Sequence, residues 1–293
     1  MPARPAKWLQ VTVAVDDEAQ ETVAEIVRRC TGRGIAIEQD DRTLYVRGYV
    51  PLGRPGRHRI AEIERALAHL SLLRSLPIVS IQEIEEEDWA NAWKEHFAAH
   101  RIGRIAIKPS WQDYKPRRGE AVVELDPGMA FGTGLHPTTR RCLLELQRRL
   151  ASGMRVLDLG TGSGILALAA AKLGAARVTA LDTDETAVSA AQANVRANGL
   201  EALVEVLPGS LPHPRAPQGS FDLVLANITA PVIQRLAREL VSALFPSGVL
   251  VVAGIVSEGA TETKRCLQEA GARVLLERRD GDWRALVVTR ADS

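Results

Sequence analysis

Between Trp8 and Val15 apolar and polar residues alternate with the period of a half-buried strand, and residues 17–30 then repeat apolar positions at helical spacing until Gly32 and Gly34 end the run. Two short strands are predicted next, over residues 35–39 and 43–50, with Asp40 and Asp41 marking the hairpin turn between them. Residues 51–56 read as a loop. Ile60, Ile63, Leu67 and Leu70 fall on one side of a helix spanning 58–76, and Ile78, Ile81 and Ile84 open a last strand. Strand, helix, two strands, helix, strand is the ferredoxin-like order, so residues 1–86 are expected to form a small α+β domain.

A different rhythm begins further on. Residues 88–100 predict a connecting helix on which Trp89, Trp93 and Phe97 share one stripe. Residues 101–108 and 121–125 look extended, residues 126–137 form a glycine-dense loop, and a helix runs from Thr138 to Leu150. From Arg155 onward strands, loops and helices alternate, which predicts a mostly parallel, doubly wound α/β sheet. Its seven strands are placed at 156–159, 178–182, 203–206, 221–226, 248–253, 273–277 and 284–289. The resulting division is 1–86, a linker over 87–126, and a sheet domain over 127–293.

Composition changes this picture little. Hydrophobic residues at 46% and charged residues at 25% suit a globular protein with a substantial core. The longest apolar run is seven residues, 165–171, against the ~18 or more of a membrane-spanning helix, and the N-terminus carries no signal-like stretch. Cys30, Cys142 and Cys266 are odd in number and scattered, as reduced thiols in a cytosol would be. A formal net charge of +1 gives no general attraction for nucleic acid. His96 and His100 could share a helix face but have no third ligand beside them, so no metal is expected.

The chemistry concentrates where strand 156–159 runs into Gly160-Thr161-Gly162-Ser163-Gly164 and then into a helix. Glycine lets such a turn bend sharply and lie against a ligand at the carboxyl end of a sheet. A dinucleotide loop, G-x-G-x-x-G, would want its third glycine where this chain has Ile165, and no Gly-Lys-Ser or Gly-Lys-Thr phosphate loop is present. The spacing resembles motif one of the class I methyltransferases. Asp182 ends the next strand, where a carboxylate accepts hydrogen bonds from both ribose hydroxyls of a nucleoside cofactor. Asn227 ends strand 221–226 in Asn227-Ile228-Thr229-Ala230-Pro231, where its side-chain carbonyl could accept from a substrate amine. Methyltransferases of planar amides and bases often carry Asn-Pro-Pro-aromatic at this place; the flat stacking surface is missing here, which favours a tetrahedral amine. For both Asp182 and Asn227 the alternative is a helix cap.

Asp126-Pro-Gly-Met-Ala-Phe-Gly-Thr-Gly-Leu-His-Pro-Thr-Thr139 closely resembles the signature of the ribosomal protein L11 methyltransferase (PrmA-like) family. Glu87-Asp88-Trp89, Trp93, His96-Phe97, Pro109-Ser110-Trp111, the glycine loop, Asp182, Asn227-Ile228 and Gly281-Asp282-Trp283 match in order, so the likeness covers most of the chain. The resemblance implies an N-terminal domain that recognises the ribosomal protein, a linker, and a catalytic domain. It also implies S-adenosylmethionine as cofactor, held by Thr139, Gly160, Gly162, Asp182 and Asn227, with Asn227 also acting on the substrate. The family trimethylates lysine side chains and the N-terminal amine of a large-subunit ribosomal protein, so a cytoplasmic enzyme acting on the free protein is expected. No membrane or direct nucleic-acid partner is expected. Phe131 in the 126–137 loop is read as part of a lid, and His136 has no assigned role.

A methyltransferase of another protein lysine, or of ribosomal RNA, is one rival reading. Tyr45 and Tyr49 share a face with Thr43 and Arg47, as bases-on-aromatics RNA-binding sheets do, but residues 1–86 carry 12 Lys and Arg against 13 Asp and Glu. A module that binds S-adenosylmethionine without turning it over is the other.

Overall fold

The structure is a computed structural model that describes residues 7–15, 20–31, 36–40, 43–71, 79–85, 98–126, 134 and 136–291. The chain divides into two compact units, residues 1–98 and 99–293. Most of the connecting helix expected over 88–100, and most of the loop over 126–137 including Phe131, lies outside the described residues.

In the first unit β1 (Lys7–Val15), α1 (Gln20–Thr31), β2 (Ala36–Asp40), β3 (Thr43–Pro51), α2 (Arg54–Ser71) and β4 (Val79–Glu85) follow in order. The antiparallel sheet runs β2-β3-β1-β4, the ferredoxin-like arrangement expected. Period-2 alternation sends Leu9, Val11, Val13, Leu44 and Val46 into a core with Val23 and Val27 of α1 and Ile60 and Ile63 of α2. Gly48 lets α1 close on β3, since a β-carbon there would lie 2.4 Å from Val27 Cγ1. The second helix starts earlier than the pattern suggested. Gly53 accepts the first helical hydrogen bond from Arg57 N–H at 3.0 Å, Pro55 sits in the first turn where no N–H is needed, and Gly56 packs against the Pro51 carbonyl. Tyr45, Arg47 and Tyr49 do share the face opposite the helices, but Tyr49 is only 4% exposed and offers no surface on which a base could stack.

The second unit opens with β5 (His100–Ile102), β6 (Ile105–Lys108) and β7 (Ala121–Glu124), which form their own three-stranded sheet. Residues 101–108 are thus a hairpin rather than one extended run, and His100 is a strand residue. Gly103 turns the chain at φ 62°, and the Gln147 side chain satisfies both edges of the turn, accepting from Arg104 N–H at 2.8 Å and donating to the Ile102 carbonyl at 3.0 Å.

The remaining elements are α3 (Pro137–Arg149), β8 (Arg155–Leu159), α4 (Ile165–Lys172), β9 (Arg177–Asp182), α5 (Glu185–Ala197), β10 (Val204–Pro208) and β11 (Phe221–Asn227). They continue with α6 (Ala230–Arg235), α7 (Ala237–Ala243), β12 (Leu244–Val256), α8 (Ser257–Glu269), β13 (Ala272–Asp280) and β14 (Trp283–Arg290). Seven strands pair in the order β10-β9-β8-β11-β12-β14-β13, parallel except for β14, which is antiparallel to both neighbours. This is the class I methyltransferase sheet. Apolar residues cover both faces, because Val156 packs with Leu143 and Leu168 on one side while Leu157 packs with Ile233 and Leu240 on the other. Every residue of α4 but Lys172 is buried, which is why that helix lacks a polar stripe. The sheet order brings the carboxyl ends of β8, β9 and β11 together at one edge.

Candidate active site

Three left-handed glycines shape the turn out of β8, with φ of 72° at Gly160, 56° at Gly162 and 85° at Gly164. The loop is pinned from the side: Gly160 and Thr161 N–H donate to the Leu181 carbonyl at 2.8 and 3.1 Å, and Asn194 of α5 donates to the Ser163 carbonyl at 2.8 Å. Asp182 closes it. One carboxylate oxygen accepts from Gly162 N–H at 2.9 Å and the other from Asp184 N–H at 3.0 Å. The cap of α5 is Asp184, which accepts from Thr186 N–H, so Asp182 is not spent as a helix cap.

Asp158, in the middle of β8, is fully buried beneath this loop. Its Oδ2 accepts from Thr161 Oγ at 2.6 Å and Ala167 N–H at 3.2 Å, while Oδ1 has no partner among the described residues. Burial pushes its carboxyl up to about 7; those two hydrogen bonds oppose the rise and the charge of Asp182 adds to it.

Across the edge, Asn227 Nδ2 donates to Thr139 Oγ1 at 3.1 Å. Thr139 is 1% exposed in the first turn of α3, so a residue 88 positions away orients the amide. The cap of α6 is Thr229, which removes the capping alternative for Asn227. The next residue is held between two glycines, one against its side chain and one against its backbone. A β-carbon on Gly160 would lie 2.2 Å from Ile228 Cγ2, and one on Gly254 (φ 84°) would lie 2.4 Å from the Ile228 carbonyl oxygen. Gly254 falls at the register shift between β12 and β14, where an extra residue disrupts the ladder.

His136 caps α3. Its Nδ1 accepts from Thr138 N–H at 3.3 Å and pairs with Thr138 Oγ1 at 2.7 Å, and its ring meets Trp283 edge-on at 5.0 Å between centroids. Burial holds its pKa below the usual histidine value, so the ring is neutral, with its proton assigned to Nε2 by this pairing. The turn before Trp283 is tied down from two sides: Asp280 to Arg141 of α3 at 3.0 Å, and the Asp282 carbonyl to Ser257 N–H and Oγ.

The sequence family described as ribosomal protein L11 methyltransferase (PrmA) matches residues 7–291. The chain belongs to that family. It is 41% identical to the ribosomal protein L11 methyltransferase of Chloroflexus aurantiacus, over 97% of this chain and 98% of that one. With the enzyme of the same name from Herpetosiphon aurantiacus the identity is 39%, over 94% and 97%. A crystal structure of ribosomal protein L11 methylase from Lactobacillus delbrueckii subsp. bulgaricus superposes with a TM-score of 0.59 and 33% identity, covering 67% of this chain and 100% of that one.

As a PrmA-family methyltransferase the chain uses S-adenosylmethionine, and the residues fit that cofactor. A carboxylate has about four acceptor positions, and Asp182 uses two on backbone N–H groups, which leaves two for a pair of ribose hydroxyls. Asp158, buried beneath the loop with Oδ1 unpartnered, would supply negative potential there when ionised, the form that a cationic cofactor favours. The five residues nominated from sequence therefore fall on one edge: Gly160, Gly162 and Asp182 around the loop, Thr139 and Asn227 as a bonded pair. Sequence reasoning missed Asp158 and Gly254. A lone acid inside the apolar strand Val156-Leu157-Asp158-Leu159 was a readable signal for the first; nothing along the chain marked Gly254.

Proposed function

We propose that this chain transfers methyl groups from S-adenosylmethionine to the lysine side-chain and N-terminal amines of ribosomal protein L11, acting in the cytoplasm on the free large-subunit protein. The observation that carries this reading is the Asn227–Thr139 hydrogen bond. With Nδ2 committed to Thr139, the amide presents Oδ1 as its acceptor, at the same sheet edge as the glycine loop and Asp182. An acceptor of that kind, without the proline and aromatic walls of base-modifying enzymes, suits an amine.

When bound, the cofactor supplies a methyl carbon on a sulfonium, open to in-line displacement. The chain's part is alignment. Asn227 Oδ1 accepts a hydrogen bond from the incoming amine, and the Ile228 carbonyl, which Gly254 presses while Gly160 packs on the Ile228 side chain, offers a second acceptor. While the amine still carries N–H donors, two acceptors orient its lone pair and let it rotate and return for a second methyl group; a dimethylamine has no N–H left, so its placement for a third rests on packing alone. A free lysine is neutral in only about one molecule per thousand near pH 7, so a desolvating pocket raises the reactive fraction. His136 Nδ1 faces Thr138, and that nitrogen is not offered as a base. Gly162 and Asp182 hold the nucleoside end. Among the described residues no helix is long and apolar enough to cross a membrane.

Incubation with labelled cofactor and a mixture of free ribosomal proteins tests the proposal. Label should enter L11 alone, on lysine and the N-terminal amine by mass spectrometry. Asn227→Ala should lower kcat by about a hundredfold, with cofactor affinity changed far less. Label on RNA, on another protein, or an Asn227→Ala enzyme within about twofold of wild type would refute it.

A further inference from the structure

We propose that the amino-terminal edge of the seven-stranded sheet carries a second ligand site, which takes the phosphate of a nucleotide. A cleft of about 520 Å³ opens there, lined by Arg155, Arg177 and Arg215 around Glu205, with Pro214 and Phe221 among its walls. Arg155, Arg177 and Phe221 are the first residues of β8, β9 and β11, and Glu205 is the second of β10. The cofactor residues stand at the opposite ends of these strands, about 15 Å away for a five-residue strand. The two sites are separate.

The cleft has a topological origin. The other parallel crossovers of the sheet carry helices, α4 between β8 and β9, α5 between β9 and β10, and α6 with α7 between β11 and β12. The chain from β10 to β11 passes instead through residues 209–220 with no helix. That thin strap leaves the amino ends of β9 and β10 partly uncovered, and it contributes Pro214, Arg215 and Pro217 to the rim.

The lining is built for an oxyanion. Glu205 accepts from Arg177 Nη2 at 3.2 Å and from Arg215 Nε and Nη2 at 3.0 and 2.6 Å, which fixes both guanidiniums. Each guanidinium has five N–H donors, so most of them stay available. Arg155 stands over the Phe221 ring at 5.8 Å, and among the described residues its guanidinium has no hydrogen bond or ion pair. Three cations stand against the Glu205 carboxylate and that of Asp222, which accepts from the Arg155 backbone N–H at 2.8 Å, so the cleft keeps surplus positive charge, and guanidinium forks match phosphate oxygens in pairs. The exposed Pro214 and Pro217 rings, together with the flat Arg155 group held over the buried Phe221, add a surface on which a planar base stacks. The volume lies in the range of small-molecule sites.

Calorimetry on the full chain, with the cofactor site first saturated by S-adenosylhomocysteine, tests this. Adenosine monophosphate should bind with a Kd below about 1 mM, and adenosine should not. Arg155→Gln and Arg215→Gln, both at exposed side chains, should each weaken that binding about tenfold, with thermal stability and S-adenosylhomocysteine affinity unchanged. Titrating uridine monophosphate against a short 5′-phosphorylated oligouridine separates the sources: tighter binding of the oligomer assigns the phosphate to an RNA end, and equal or weaker binding to a free nucleotide. No binding of adenosine monophosphate at about 5 mM, equal binding of N-acetylglutamate, or undiminished binding by the double variant would overturn the proposal.

Discussion

Gly254→Ala isolates the clamp on the Ile228 peptide. The added methyl would stand 2.4 Å from the Ile228 carbonyl oxygen, 3.0 Å from its carbon and 3.3 Å from its nitrogen, all backbone atoms that no rotamer change can move. Ordinary carbon contacts begin near ~3.4 Å, so the Asn227–Ile228 segment must retreat by about 1 Å. Overpacking of that size costs about 1–3 kcal/mol, and a left-handed alanine adds about 1 kcal/mol. The expected loss is therefore about 2–4 kcal/mol, or roughly 5–15 °C in Tm for a unit of this size. Catalysis should suffer more, because a displacement of about 1 Å at an aligning acceptor lowers kcat by on the order of a hundredfold. Gly271→Ala is the control: its φ of 87° imposes the same backbone strain, and an added β-carbon there meets nothing within 4 Å. Melting curves for both variants, with kcat for methylation of free L11 measured well below either Tm, separate strain from clash. If Gly254→Ala matches Gly271→Ala in both Tm and kcat, the clamp does not position Asn227 and Ile228.

Other expectations concern neighbouring groups. Thr139→Val removes the acceptor of Asn227 Nδ2 and should lower kcat up to about tenfold while Thr139→Ser restores it; a valine enzyme as fast as wild type would show that the amide needs no such anchor. Asp158 has a folded pKa of about 7 against an ordinary 3.8, so between those values the folded state holds a proton that the unfolded state has released. Its contribution to stability is complete below the lower value and fades as pH rises through the upper. The Tm of the cofactor-free protein should accordingly fall across this window, and the difference between wild type and Asp158→Asn should show that slope; parallel curves would contradict it. A cationic cofactor favours ionised Asp158, so calorimetry in buffers of different ionisation enthalpy should detect proton release on binding near pH 6.5, about half a unit below the folded pKa, and none in Asp158→Asn. The Glu145 side chain, 1% exposed, bonds Arg148, Arg149 and Arg278, and these arginines hold its pKa below the usual value despite burial. Glu145→Gln should cost about 2 kcal/mol, less than a fully buried pair because Arg148 can return to water, and an unchanged Tm would mean the cluster is idle.

Much of this molecule was written locally. Leu9, Val11 and Val13 declare a strand by alternation alone, and the three glycines at 160, 162 and 164 stand together in the chain, so a turn that needs left-handed backbone can be read directly. Asp182 follows because a strand's end can be counted from its apolar run. Features made by neighbours in space escaped. The start of α2 at Arg54 depended on Pro51 and Gly53 accommodating a helical glycine, and the turn at Gly103 depended on Gln147, 44 positions on. Hydrophobic period and turn chemistry act over a few residues, which is why the elements, their order and the cofactor loop were determined by the chain itself. Hydrogen-bond partners and close approaches depend on which strands the sheet sets side by side. Only the folded structure could therefore decide that Thr139 orients Asn227, that Gly254 presses on Ile228, and that Asp158 is sealed from water beneath the loop.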